Sequence, residues 1–428
     1  MCGIIASISN NVIDVEPAML ANRERGRDSW GFWMPSRSYR AITCMPNANA
    51  PINNEPGMAV LGCLRAEPTT EWVREKRAVD VQPYEVGNWV IVHNGTIAND
   101  VELREQHRFI TPTLIDSWVI AALLNQYNDF ARVISMLVGS YAICAVDMRA
   151  PDIIYYAMNY HPLYLHQKHT LSSVPLSDYD RMIPPYSIGT LTLRGITIHP
   201  LLAQPAASRA LVVCSGGLDS TVAAAALKHA GMEVELLHYD YGCRATRQEG
   251  VAIHAIAKAL DVPLHIVKTP IFTDIIKGSP LTNTASNAGF AEAEAGAEYA
   301  HEWVPARNLI MTSIAVGIAE SRGFNVLALG ANLEESGAYP DNEPEFLKQF
   351  ARLLPFSVRD GTQLRIATPV GNLMKHEIVK LGLELQAPLQ HTWSCYNNSD
   401  RHCGTCGPCF MRRTAFEING AVDPVFAV

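Results

Sequence analysis

The chain has 428 residues, 48% hydrophobic and 18% charged, with 34 Lys and Arg against 42 Asp and Glu and a formal charge of −8. That length exceeds one ordinary core and predicts roughly two to three domains of soluble globular composition. The acidic total, without a clustered basic stripe, argues against a long nucleic acid as direct substrate and favours a small molecule.

No apolar run approaches the ~20 residues of a membrane span. No basic region followed by an apolar stretch opens the chain, so the default compartment is cytoplasmic, with no membrane partner. A local basic patch can sit inside an acidic total, so tRNA, DNA or a protein acceptor stays open, as does a homodimer.

Residues 1 to about 200 read as short strands: "MCGIIASIS", "NWVIVHNG", "SYAICAVD" and "DIIYYAM", the last three at or beside Gly, Asn or Asp turns. One helix, "LIDSWVIAALLNQY", interrupts them with apolar residues at helical spacing. The expectation is a layered α+β domain of antiparallel sheets over 1–205. Composition shifts at "LLAQPAASRA", a linker at 201–210, and from 206 to 428 strand and helix alternate. "ALVVC" leads into "DSTVAAAALKHAG", "EVELLHYDY" into "RQEGVAIHAIAKAL", then "PLHIVKT", and later "NLIMTSIAVGIAESRG" and "NVLALGA". This alternation predicts an α/β domain with a doubly wound parallel sheet. The Ala/Glu-rich "NAGFAEAEAGAEYA" reads as a surface helix or loop over an active site.

Five of the ten cysteines, Cys44, Cys63, Cys144, Cys214 and Cys243, are scattered and read as small buried apolar side chains. Cys2 stands apart. Removal of Met1 would leave Cys2 with a free α-amine of pKa about 7.7–8 beside its thiol, so base and nucleophile come from one residue.

Cys2-Gly3-Ile4, "RGRDSWG" at 25–31, "LRAE" at 64–67, "QP" at 82–83, "HNGTIAN" at 93–99, "TLIDSW" at 113–118 and "HPLY" at 161–164 follow in order. This series resembles the class II, N-terminal-nucleophile glutamine amidotransferases across residues 1–200. The resemblance implies an N-terminal-nucleophile hydrolase sandwich whose cysteine attacks the glutamine amide, forms a thioester and releases ammonia. It implies an oxyanion hole from Asn94 and the Gly95 N–H, a clamp on the glutamine α-carboxylate from Arg65, and a partner for its α-ammonium in Asp116. Many relatives have His or Thr where Gly62-Cys63 stand here.

"ALVVCSGGLDST" places a Ser/Gly turn between a buried strand and a helix, an anion nest for phosphate. Gly216 and Gly217 allow close approach of backbone to phosphate. Ser215, Ser220 and Thr221 add hydroxyl donors, and Asp219 is placed to hold Mg²⁺ or orient the loop. No Lys-Ser/Thr pair follows, so this is not a Walker loop. The unit resembles the pyrophosphate-loop ATPases, of the adenine nucleotide alpha-hydrolase type, which adenylate a substrate at the expense of ATP.

Cys395, Cys403, Cys406 and Cys409 supply four thiolates at spacings that close a tetrahedral zinc site with no open position, hence structural. With "DYGCRATRQE" at 240–249, "VPARN" at 304–308, "YPD" at 339–341, "TPVGNLMKHEIVKLG" at 368–382 and "SCYNNSDRHCGTCGPCFMRR" at 394–413, the second half resembles 7-cyano-7-deazaguanine synthase (QueC-like) over about 210–425. That family adenylates 7-carboxy-7-deazaguanine, aminates it, then dehydrates the amide to the nitrile with a second ATP. The resemblance implies base or ATP contacts from Arg244, Arg307, Asn308, Tyr339 and Asp341.

Two departures border the implied base pocket. Cys243 stands where Gln is usual, and Asn342-Glu343 where Cys-Arg is usual. Glutamine, ATP with Mg²⁺ and a 7-deazaguanine are therefore the expected ligands of a carbon–nitrogen ligase. Fused forms of the family are associated with archaeosine-type amidines made from the nitrile, free or in nucleic acid. Others join the base to a protein amine in phage defence. An asparagine synthetase-like ligase is a fourth reading, which lacks the four-cysteine tail. The fusion itself suggests an internal passage for ammonia.

Overall fold

The computed structural model describes residues 2–46, 51–66, 77–201, 208–276, 279, 281–282, 303–336, 340–397 and 399–426; most of the linker, the Ala/Glu-rich stretch and Tyr339 lie outside them. The chain divides into two compact units, Met1–Ala203 and Gln204–Val428.

Two antiparallel sheets form the first unit. One runs in the order Arg181–Met182, Tyr164–His166, Thr170–Ser172, Gly3–Ile8, Ala59–Arg65, Ser29–Met34, Arg37–Ala41. The other runs Gly195–Ile196, Ser187–Thr192, Ile154–Met158, Gly139–Asp147, Trp89–Ile97, Tyr84–Val86, with His199–Pro200 beside Ser187–Thr192. Period-two alternation explains their stacking. Ile4, Ala6, Leu61 and Cys63 of the first sheet meet Val90, Val92, Ala142 and Cys144 of the second. The opposite set, Ile5, Val60 and Leu64, packs on Val15 and Met19 at the helix Glu16–Ala21. Ile91, Ile143 and Ala145 pack on the helices Trp118–Tyr127 and Phe130–Met136. The layers are therefore helix, sheet, sheet, helix. Strands covered on both faces read as continuous apolar runs, and all six residues of Gly3–Ile8 are buried.

The single helix expected at 114–127 is shorter, beginning at Trp118, and among the described residues of this unit three further α-helices occur: Glu16–Ala21, Asp100–His107 and Phe130–Met136. Leu114–Ser117 are drawn out of the helix because Asp116 accepts the Ile97 N–H at 2.6 Å. The added helices are short, and Asp100–His107 buries only Leu103, which leaves little periodic signal.

The second unit is a five-stranded parallel sheet in the order Leu264–Lys268, Glu233–Asp240, Arg209–Val213, Val326–Leu329, Arg365–Ala367. Helices Leu218–His229 and Thr246–Leu260 cover one face through Ala224, Leu227, Ile253 and Ile256. Arg307–Arg322 covers the other through Met311, Ala315 and Ala319. The order reverses between Arg209–Val213 and Val326–Leu329, and ligands of such sheets bind beyond the strand ends at that switch. A Cβ on Gly330 there would lie 2.7 Å from the Ser220 backbone, so only glycine lets the two segments meet.

Candidate functional site

Cys2 precedes the strand Gly3–Ile8, is buried, and belongs to the core cluster between the two sheets. The register Ile4↔Cys63 and Gly3↔Leu64 brings Cys63 to its side. The Cys63 thiol hydrogen-bonds the Cys2 sulfur and holds its pKa below the usual thiol range, against burial and with help from Arg65. Cys63 is correspondingly pushed up. The Cys2 carbonyl accepts from Arg25 Nε at 3.2 Å. Cys63 is buried in the core as its type predicts, and its thiol also meets Cys2. Cys44 is half-buried rather than core.

Asn94 and Gly95 lie within the strand Trp89–Ile97, paired to Ala142 and Tyr141, rather than in a turn. Alternation puts Asn94 on the same inter-sheet face as Val90 and Val92. It is fully buried, and neither Oδ1 nor Nδ2 has a hydrogen-bond partner among the described residues. Each such buried group costs about 1–3 kcal/mol while it has no partner. A Cβ on Gly95 would lie 1.9 Å from the Ser140 carbonyl oxygen.

Arg65 ends the strand Ala59–Arg65 and is buried. Asp116, also buried, accepts from Ile97 N at 2.6 Å, Ser117 N at 2.6 Å and Ser117 Oγ at 3.0 Å. Ser117 Oγ continues to His93 Nδ1 at 2.8 Å, and Gln82 bonds both His93 and Ser117. Burial raises the pKa of Tyr84, and the charges it senses next are those of Arg65, Cys63, Asp116 and Asp80. The Cys63 thiol and the Arg65 charge act in turn on Cys2. The fold therefore draws Cys2, Cys63, Arg65 and Asp116 into one buried neighbourhood.

In the second unit a cavity of about 360 Å³ opens at the switch point. Ser215, Gly217, Asp219, Ser220, Arg307, Asn308 and Asp341 line it; Gly216, Thr221 and Arg244 do not. Gly216 has φ +87° and its carbonyl accepts from Trp393 N at 2.8 Å. Thr221 Oγ1 donates to the Gly217 carbonyl at 2.7 Å, closing the first helical turn. The Arg244 N–H donates to the Leu281 carbonyl at 2.9 Å. Asp341 accepts the Asn308 N–H at 2.9 Å, a carboxylate at the start of a 16-residue helix. Tyr241 and Arg307 hydrogen-bond within the wall.

Lys375 and Glu249 also line the cavity. Lys375 Nζ lies 2.6 Å from Asp219 Oδ2, and Glu249 accepts from the Cys243 thiol at 3.4 Å. Both sit inside stretches noted above, "TPVGNLMKHEIVKLG" and "DYGCRATRQE", but neither has a local pattern that announces chemistry. On the cavity wall Arg412 is buried, paired with Asp423 at 2.8 Å and donating to the Leu389 carbonyl.

The four sulfurs of Cys395, Cys403, Cys406 and Cys409 all lie within 4.8 Å of one another. Cys403–Cys409 and Cys395–Cys406 are each 4.0 Å apart. A tetrahedral zinc at about 2.3 Å from each sulfur sets S···S at roughly 3.8 Å, so the donor set fits such a structural metal. Cys406 caps the helix Gly407–Ile418, whose Gly407, Pro408, Met411 and Arg412 reach the cavity wall.

A family model for the queuosine biosynthesis protein QueC matches residues 209–420, and one for a glutamine amidotransferase domain matches residues 73–177. The 7-cyano-7-deazaguanine synthase of Sulfolobus acidocaldarius is 40% identical over 99% of this chain and 98% of its own length. The chain belongs to the 7-cyano-7-deazaguanine synthase family. Within that family it is a glutamine amidotransferase fused to a QueC-like domain. The synthase of Saccharolobus solfataricus is 40% identical over 94% of this chain and 92% of its own. A shorter family member, from Methanothrix thermoacetophila, is 40% identical over 50% of this chain and 97% of its own length. No helix among the described residues is long and apolar enough to cross a membrane.

Proposed function

We propose that the protein converts 7-carboxy-7-deazaguanine to its amide and then to 7-cyano-7-deazaguanine, using ATP and ammonia taken from glutamine. One observation carries this: the switch-point cavity has the phosphate loop (Ser215, Gly217, Asp219, Ser220) in its wall together with Arg307, Asn308 and Asp341. Names of full-length relatives support the substrate class.

In this reading the first unit, 1–205, is an N-terminal-nucleophile hydrolase, and its four-layer arrangement supports that. Met1 is removed, Cys2 attacks the glutamine side-chain carbonyl, and ammonia leaves. The Asn94 amide and Gly95 N–H receive the oxyanion, worth roughly 3–4 kcal/mol for a donor that meets charge only as it develops. Arg65 and Asp116 bind the two ends of the amino acid.

In the second unit, 206–428, the loop amides and hydroxyls hold the phosphates while the substrate carboxylate attacks the α-phosphorus and pyrophosphate leaves. Ammonia displaces AMP to give the amide. A second ATP activates the amide oxygen for loss as AMP, leaving the nitrile. Mg²⁺ would accompany ATP to offset phosphate charge, and of the carboxylates on the wall (Asp219, Glu249, Glu334 and Asp341) Asp219 and Glu334 would be its hard oxygen donors. The Lys375 ion pair favours an orienting role for Asp219. Asp341 and Arg307, on the cavity wall, take the base edge; Tyr339, outside the described residues, is assigned to the same role, and Arg244 supports from outside the described cavity. The four cysteines hold zinc as a structural clamp.

Pyrophosphate–ATP exchange tests the activation step. Exchange supported by 7-carboxy-7-deazaguanine and not by the nitrile is expected. Failure of the acid to support exchange contradicts the reading, and amidine formed from the nitrile would replace it with archaeosine-type chemistry.

A further inference from the structure

Glu249 lies on the helix Thr246–Leu260, half-buried, and lines the same cavity as Ser215, Asp219 and Arg307. Among the described residues no lysine or arginine forms an ion pair with it, and the Cys243 thiol sits 3.4 Å from its Oε2. An ionised carboxylate in that position gives up hydration without a cation in contact. Burial pushes the carboxyl up to about 7, opposed by the Cys243 hydrogen bond and the Arg307 charge and reinforced by Asp240. The titratable groups around it are therefore Cys243 and Tyr241 on the loop, Asp240 at the strand end and Arg307 on the facing helix. A carboxyl that is ionised part of the time at neutral pH suits proton transfer rather than ion pairing. Cys243 stands where relatives usually have Gln, so the Cys243–Glu249 pair departs from the usual family pattern.

We propose that Glu249 is the proton acceptor for the amination step, oriented by Cys243. The inference rests on the proposed function. The nitrogen lone pair of ammonia forms the C–N bond at the acyl-adenylate carbon while the carbonyl π pair moves to oxygen. Glu249 takes one N–H proton. The oxygen pair re-forms C=O as the C–O bond to AMP breaks, and AMP departs with those electrons. The proton passes from Glu249 to solvent.

The test separates the half-reactions in the full-length protein supplied with ammonium. Acid-dependent pyrophosphate exchange reports adenylation, and amide release reports amination. E249Q is expected to exchange within about 2-fold of wild type while its amination falls ~10²-fold or more. The ratio of wild-type to E249Q amination should rise with pH through about 7, as Glu249 ionises; ammonia's own protonation cancels in that ratio. E249D should restore part of the rate. C243S, which keeps a donor, should outperform C243A. Equal amination by E249Q and wild type overturns the inference, as does a parallel loss of exchange and amination, which marks a structural role. Wild type without acid-dependent exchange overturns the function itself, and the inference with it.

Discussion

Lys375 Nζ lies 2.6 Å from Asp219 Oδ2, tying the helix Lys375–Glu384 to the first turn after the phosphate loop. The two side chains are only 12% and 18% exposed, so the pair is weakly screened. Lys375 brings to this loop the cation that a Walker sequence carries locally. Lys375→Met is expected to cost roughly 1–2 kcal/mol in stability, below the 3–5 kcal/mol of a fully buried pair. It should slow adenylation about 10²-fold. Asp219→Asn combined with Lys375→Met should recover stability but not exchange, as measured by melting and pyrophosphate–ATP exchange.

Asn94 offers the opposite signature. Its amide atoms are buried and have no partner among the described residues, so the fold gains little from them. Asn94→Ala is expected to lower glutamine hydrolysis by about 10²–10³-fold with a melting temperature close to wild type. Ammonia-fed synthesis should persist. A large loss of stability with unchanged hydrolysis would place Asn94 in the core instead.

The four-cysteine cluster is expected to carry one metal ion per chain, bound as thiolates. Metal analysis of the purified protein should find zinc, and Cys409→Ser should lower its content and the melting temperature together. Because Met411 and Arg412, in the helix that Cys406 caps, line the cavity, chelation should also weaken ATP binding.

His161 gives a pH test in the first unit. Burial, then the charges of His93 and Arg25, depress its pKa to about 4. The unfolded chain, with histidine at its ordinary value near 6.5, binds the proton first. Stability from His161 is therefore complete above pH about 6.5 and is lost as pH falls from there toward about 4. His161→Gln should flatten the fall in unfolding free energy over that window, followed by denaturant titration at several pH values.

Strands of continuous apolar sequence, such as Gly3–Ile8 and Arg209–Val213, are legible because both faces are covered. The helix Pro344–Leu353 and the strand Arg365–Ala367 were not, since one buries only Leu347 and Phe350 and the other is three residues long. Residues that the chain concentrates locally are legible as clusters: Ser215, Gly217, Asp219 and Ser220 share one cavity wall, and Cys395, Cys403, Cys406 and Cys409 come together. Glu249, Cys63 and Lys375 were hidden because their partners are distant in sequence or unremarkable in type. Cys2 and Cys63 are joined only by strand register, and Lys375 reaches Asp219 across 156 positions.

The most direct measurement follows nitrogen from glutamine into the product. The protein is supplied with ATP, Mg²⁺ and amide-¹⁵N glutamine, with 7-carboxy-7-deazaguanine or its nitrile offered separately, and the bases are analysed by mass spectrometry. Label entering the amide and nitrile from the acid, with AMP formed, and lost in Cys2→Ala, which makes only unlabelled product when unlabelled ammonium is added, is the expected result. Label appearing only from the nitrile, or in neither base, would contradict glutamine-fed amination of the acid.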